Sequence, residues 1–190
     1  MQSTQLEQNT NSHDSKIENW QNDALHPDLL ATKDLVYSPL HFHYSIPQVE
    51  ADNAEYGAYF FTLQGRRIKF RVAKITPTKI GQFVTVWKRV GKQPIQPYDV
   101  LDPFDLLVIS TRRGELFGQF VMPKSVLVQQ GILSKAGQGG KRALRVYPPW
   151  DQACSRQAQT TQHWQLRYFL EIPHNKPFDR VRAQHLYQQK

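Results

Sequence analysis

The segment YGAYFFTL (56–63), QG (64–65) and RRIKFRVAKI (66–75) sets two strand-like runs on either side of a turn. The first run is short and almost wholly apolar, the pattern of a buried strand bounded by turn residues. Gln64-Gly65 supplies the turn, and the second run returns as the hairpin partner. In that partner Ile68, Phe70 and Val72 alternate with Arg67, Lys69 and Arg71. Successive strand side chains point to opposite faces, so the apolar set enters the core and the cations face the other way. At a rise of about 3.3 Å per residue the three cations stand about 7 Å apart. A charged ladder of that density is expected to meet an anion.

Downstream, Phe104–Ser110 and Leu116–Met122 read as a second pair of buried strands across an Arg112-Arg113-Gly114 turn. Pro123 to Gln130 reads as a short helix closed by Gly131, with proline at the entry and glycine at the exit. Ala143–Tyr147 is a short strand, Pro148-Pro149 holds the next residues extended, and Ser155 caps a main helix that ends before Pro173. Thr76-Pro77 is expected to open a further helix, because Ile80, Phe83, Val84 and Trp87 fall at i, i+3, i+4 and i+7. The β-branched run Val84-Thr85-Val86 pulls against that reading. KAGQGGKR (135–142) is expected as a flexible basic loop.

Upstream, residues 1–15 are rich in Gln, Asn, Ser and Thr and read as a disordered polar tail. Residues 16–53 form an acidic segment, weakly helical from Ile17 to Leu35 and extended around Pro39 and Pro47. The expectation is an α+β (or α/β) fold: a single domain over 54–172 with a mixed, mostly antiparallel sheet flanked by helices. A basic C-terminal tail, 173–190, follows, with a short helix near 177–188.

The 190 residues hold 24 Lys and Arg against 16 Asp and Glu, and the division is uneven. Residues 1–55 carry two basic and nine acidic side chains, and residues 56–190 carry the other 22 and 7, so −7 faces +15. Such asymmetry points to a polyanionic partner for the basic part. No apolar run approaches the roughly 18–20 residues needed to span a bilayer. The first twenty residues lack the basic start and apolar stretch of a secretory signal. A cytoplasmic protein with no membrane partner is expected. The single thiol, Cys154, excludes an internal disulfide and a multi-cysteine zinc site.

The glycine-rich loop fails as a nucleotide-binding motif, since Lys135 stands where the first glycine is needed and Arg142 where Ser or Thr is needed. With Lys135, Lys141 and Arg142 around it, the loop can still wrap a phosphate backbone. His41 and His43 would share a strand face but have no third ligand at a recognisable spacing, so neither a metal nor a cofactor is expected. There is no G-x-S-x-G elbow, and Cys154 has no readable base partner. The enzyme reading that the residues allow is a divergent Mg-dependent nuclease at Asp105 and Lys124. Gln119 lies where a second carboxylate is wanted, and Glu55, Asp99 and Asp102 could join in space. The carboxylate-x-Lys pair of such sites is missing, which favours a protein that binds without cutting. Gln157, Gln159, Gln162 and Gln165, with Arg156, Arg167, Trp164 and Tyr168, offer base-edge and phosphate contacts along the last main helix. Tyr147 and Trp150 could stack on bases; alternatively, Trp150 and Trp164 close the core.

Four blocks, AKITPTKIGQFVTVWKR (73–89), FGQFVMPKSVL (117–127), GKRALRVYPPWD (140–151) and TQHWQLRYFL (161–170), resemble those of the MepB family over about residues 54–172. The family takes its name from a small protein encoded beside a multidrug efflux pump. The resemblance implies one α/β domain and carries over no established catalytic residue. It places Lys74, Lys79, Gln82, Lys88, Arg89, Lys124, Lys141, Arg142, Arg145, Tyr147 and Asp151 in the signature blocks. The expected function is nucleic-acid binding, to DNA rather than RNA. One part of the surface would be Lys69, Arg71, Lys74, Lys79, Gln82, Lys88 and Arg89, and another Lys141, Arg142, Arg145 and Tyr147. The alternatives are the nuclease, and a non-enzymatic interaction module whose basic face is masked by the acidic N-terminal segment.

Overall fold

In the computed structural model, which describes Trp20 and residues 25–189, Pro27 is the first residue of a helix. Helix α1 (Pro27–Thr32) starts where His26 Nδ1 accepts from the Asp28 N–H at 3.1 Å. Proline's missing N–H costs nothing at that position. The helix widens into a π-type turn over Lys33–Tyr37. The expected polar tail and the start of the weak helix lie outside the described residues. The chain is turned, not extended, around Pro39; past Pro47, strand β1 (Gln48–Val49) lies at the sheet edge, and a 3₁₀ turn over Ala51–Tyr56 leads into the hairpin of β2 (Tyr59–Leu63) and β3 (Arg66–Val72). Gln64 and Gly65 both take positive φ, 51° and 73°, as the two central residues of a tight hairpin turn of this hand must.

The helix expected from Thr76 is a second hairpin, β4 (Lys74–Thr76) with β5 (Lys79–Thr85). Pro77 sits just inside the turn, where its fixed φ fits. The β-branched run extends the strand, since those side chains lose rotamer freedom in a helix. Val84 pairs with Leu144 of β12 and is buried while Ile80 is 44% exposed, so the helical spacing is accidental. Next come β6 (Trp87–Lys88), β7 (Gln96–Pro97), β8 (Leu106–Arg113), β9 (Leu116–Pro123) and helix α2 (Lys124–Gln129), closed by Gly131 at φ 61°. The expected flexible loop is an ordered hairpin of β10 (Ser134–Lys135) and β11 (Gln138–Gly139), pinned by Asp99, which accepts from Ser134 Oγ at 2.8 Å. Strand β12 (Ala143–Val146) and helix α3 (Arg156–Leu166) follow, α3 capped by Ser155 Oγ accepting from Ala158 N–H at 3.1 Å. The chain ends with β13 (Phe169–Glu171), which sequence reading placed inside the helix, and helix α4 (Arg180–Gln188).

Six strands form the main sheet in the order β1-β2-β3-β8-β9-β13. All neighbours are antiparallel except β3 and β8. A parallel pair needs a long crossover, and residues 73–105 provide it while carrying β4 to β7. The central strands β8 and β9 are buried on both faces, as their continuous apolar runs require. On one face Ile68, Phe70, Leu106, Val108 and Val121 pack under α1, the π-type turn and α4. On the other, Leu107, Ile109, Phe120 and Met122 pack under a three-stranded sheet, β12-β5-β4, through Val84 and Val146. This α+β arrangement is a mixed, mostly antiparallel sheet with α1 and α4 on one side, and a smaller sheet together with α2 and α3 on the other.

Within the basic segment that follows Pro173, helix α4 joins the core. Ala183, Leu186 and Tyr187 of α4 are fully buried, and the Tyr187 hydroxyl donates to Gln119 Oε1 at 2.6 Å. Leu186→Ala is expected to lower the unfolding free energy by about 2–5 kcal/mol, as core truncations do. Urea denaturation measures this; a change below about 0.5 kcal/mol, ordinary for a surface site, would show α4 to be dispensable.

Candidate nucleic-acid interface

The cationic row of β3 is matched by acids from both sides in sequence, Glu50 upstream and Asp105 downstream. Arg71 is fully buried; it pairs with Glu50 and donates to the Tyr98 hydroxyl. Lys69 also pairs with Glu50, and Arg67 clasps Asp105 through Nε and Nη2 at 3.2 and 3.0 Å. Burial pushes the Glu50 carboxyl up, but Arg71 and Lys69 outweigh it and hold the group below the usual carboxylate range. Lys74 meets Glu55 at 3.3 Å, Arg89 meets Asp52 at 3.7 Å and Lys88 pairs with Asp102. Arg112 holds the buried Asp28 at 2.7 Å. Every described acid between residues 25 and 55 thus has a cationic partner, Asp34 taking its neighbour Lys33. Gln82 is also fully buried, its Nε2 near Arg112 O at 3.4 Å. Of the first expected cluster, Arg71 and Gln82 cannot reach a ligand, and Lys69, Lys74, Lys88 and Arg89 are paired.

The second expected cluster lies on the outer face of the small sheet, together with Lys79. The register sets Phe83 between Lys74 on β4 and Arg145 on β12, and pairs Lys79 with Thr76. Arg145 reaches across β5 and donates to Gly81 O at 3.0 Å and Thr76 Oγ1 at 2.7 Å, so it is held without a carboxylate. Lys79, Lys141 and Arg142 are exposed and make no ion pair among the described residues. A groove of about 330 Å³ runs between β12 and α3. Lys141, Arg145 and Tyr147 line one side, and Ser155, Gln157, Thr161 and Trp164 line the other, with no carboxylate among the described residues. Gln165 joins the two walls: its Nε2 donates to Arg145 O, and its Oε1 accepts from the Tyr147 N–H, both at 2.9 Å. Gln162 likewise donates to Asp151 O at 2.7 Å. These two amides are structural, which leaves Gln157 facing the groove. Trp150 packs edge-on to Phe169 at 5.5 Å and closes the core, whereas Trp164 both packs and lines the groove.

Asp151 is buried beside Arg113 at 2.7 Å, and desolvation raises its carboxyl above the usual range against the pull of that cation. The expected nuclease residues do not converge. Asp105 is held by Arg67, whose hydrogen bonds depress its pKa. Lys124 donates to the Asp102 carbonyl, and Asp99 serves the β10–β11 hairpin. Gln119 faces the helices, bonded to Thr32 at 2.7 Å and to Tyr187. His41 and His43 are exposed, and no group of three or more His, Cys, Asp or Glu suited to a metal exists among the described residues. Cys154 is exposed. No helix among the described residues is long and apolar enough to cross a membrane.

A family profile described as MepB-like matches residues 50–171. A solved structure described as the crystal structure of MepB is 35% identical, with a TM-score of 0.67 over 80% of this chain and 99% of that one. The chain belongs to the MepB-like family. A bacterial homing endonuclease overlaps at 14% identity and a TM-score of 0.41 over 73% of this chain and 86% of that chain, too loosely to carry an argument. A search of curated proteins finds no match. Within the MepB-like domain, sequence reading missed Tyr56, Phe83, Thr76 and Thr161. Their signal was the alternation of Lys79, Gly81 and Phe83 facing Arg145 and Tyr147, which only the strand pairing reveals.

Glu50→Gln should destabilise the domain by about 3–5 kcal/mol at neutral pH, because it strands the buried Arg71. The folded-state pKa of Glu50 is depressed. Its contribution is therefore present above the unfolded-state value and lost as pH falls through the lower folded value. Urea midpoints across acid pH should show a steep limb in the wild type and a flatter one in the variant. Parallel curves would refute the assignment.

Proposed function

We propose that this MepB-like chain binds nucleic acid, with DNA as the expected polymer, along the outer face of the β4-β5-β12 sheet and the groove beside it. The supporting observation is the groove between β12 and α3, which carries Lys141 and Arg145 without a carboxylate. Four other clefts each include at least one acidic side chain. A cation paired within the domain has already lost most of its attraction for phosphate, whereas an unpaired one releases counterions when it meets a polyanion. Lys79, Lys141, Arg142 and Arg145 come from two stretches of chain, β5 and the segment that leads into β12, and offer a surface suited to a polymer backbone. Backbone contacts of this kind position the strand and carry no base preference themselves.

Neutralising four phosphates should give a log–log salt slope of about −3.6 on duplex DNA. Lys141→Glu with Arg142→Glu should weaken binding and make that slope shallower by about 2, while Lys33→Gln, on the helix side, leaves both unchanged. Titration of labelled DNA against rising salt measures this, and no binding at low salt overturns the reading. Added Mg²⁺ should leave the DNA uncut; cleavage that disappears with Asp105→Ala would favour the nuclease instead.

A further inference from the structure

A second cavity, of about 390 Å³, lies against the main sheet and shares no residue with the groove between β12 and α3. Strand register sets Gln48, Phe60 and Lys69 side by side across β1, β2 and β3, and all three line it. Val49, Tyr98 and Pro103 supply the rest of its apolar lining, and Glu50, Lys88 and Asp102 its other charges. The Lys69 ammonium lies close to two rings, 5.4 Å from the centre of Phe60 and 4.8 Å from that of Tyr98.

The charges around this cavity do not balance. Lys88 pairs with Asp102, but Lys69 and Arg71 share Glu50. Its Oε1 meets Lys69, while its Oε2 meets Arg71 and accepts from the Tyr98 hydroxyl at 3.5 Å. One carboxylate thus answers two cations, and Arg71 keeps a buried Nε–H without a hydrogen-bond partner. Burial holds the Lys69 ammonium below its usual pKa range, with Glu50 pulling it up and Arg71 adding to the fall. Among the charged side chains that line the cavity or pair with those that do, cations exceed carboxylates by one. A desolvated charge without a full counter-charge is costly, and of the two cations on Glu50 it is Lys69 that opens on the cavity.

We infer that this cavity binds a small organic monoanion with a flat apolar body, an aromatic carboxylate, whose anionic group meets Lys69 and whose ring lies against Phe60, Val49 and Pro103. The volume falls within the range of small-molecule sites, which are mostly apolar and hold a few placed polar groups. A single negative charge completes the count, whereas a phosphate dianion overshoots it and is repelled by Glu50 and Asp102. A cationic ligand meets Lys69 and Lys88, and a neutral one leaves the excess in place. The carboxylate forms a charge-assisted hydrogen bond in a half-buried setting, where such bonds are stronger than in water.

Titration with naphthoate and with its uncharged counterpart naphthylmethanol, followed through amide chemical shifts in NMR, tests this. Naphthoate should bind saturably, with shifts centred on Glu50, Phe60, Lys69 and Tyr98, and at least about tenfold more tightly than naphthylmethanol. Lys69→Met keeps the apolar stem and leaves Glu50 to Arg71 alone. It should bring naphthoate down to the affinity of the alcohol, with a urea midpoint no lower than that of the wild type. Val49 is exposed at the rim, so substitutions there do not threaten the core. Val49→Glu should weaken naphthoate by about fivefold more than the isosteric Val49→Gln does. Equal affinity for the two probes, wild-type naphthoate binding in Lys69→Met, or equal binding in the two Val49 variants overturns the inference. So does a titration that does not saturate, or one whose shifts lie outside this cavity.

Discussion

A sheet that is apolar on both faces must be covered twice. Strands β8 and β9 alternate Leu106, Val108, Phe117 and Val121 toward one side with Leu107, Ile109, Phe120 and Met122 toward the other. Burying only one set would leave the second in water, at about 25 cal/mol per Å² of apolar surface. One cover is helical, from α1 and α4. The other is built within the crossover between the parallel strands β3 and β8, and β12 completes it. Because that second cover is itself a sheet, its inner residues seal the core while its outer row is open to solvent. The candidate interface is therefore a by-product of how the main sheet is closed.

Charge follows the same economy. The acids between residues 25 and 55 are each matched to particular cations. Single carboxylates sit at chosen cations: Asp28 at Arg112, Glu50 at Lys69 and Arg71, Asp52 at Arg89, and Glu55 at Lys74. For Arg71 the pairing is obligatory, since an uncompensated buried charge costs several kcal/mol. For Lys74 and Arg89, both exposed, it contributes little to stability but removes their charge from the outward field.

Much of this was legible locally. The β2–β3 hairpin follows from an apolar run, a Gln-Gly turn and strict alternation, and β8, β9, α2 and the Ser155 cap follow from signals within a few residues. The four sequence blocks pointed to the family. What escaped depends on distant partners. Phe83, Val84 and Trp87 look helical until β12 supplies a strand for β5 to pair with, some sixty residues later. Arg71 looks like a ligand residue until Glu50, 21 residues upstream, closes on it. Tyr56 and Phe83 meet, and Tyr147 lies over Gly81, contacts that no local pattern connects.

The helix-side core ties the two ends of the described chain together. Thr32 bonds Gln119, Gln119 bonds Tyr187, and the Tyr37 and Tyr187 rings meet edge to face at 5.4 Å. During synthesis α1 and the sheet leave the ribosome before α4, which helps to cover Phe61, Ile68 and Val108. The nascent polypeptide must therefore carry an uncovered greasy face until α4 has emerged, and a truncation that removes α4 would be as damaging as one that cuts into the sheet.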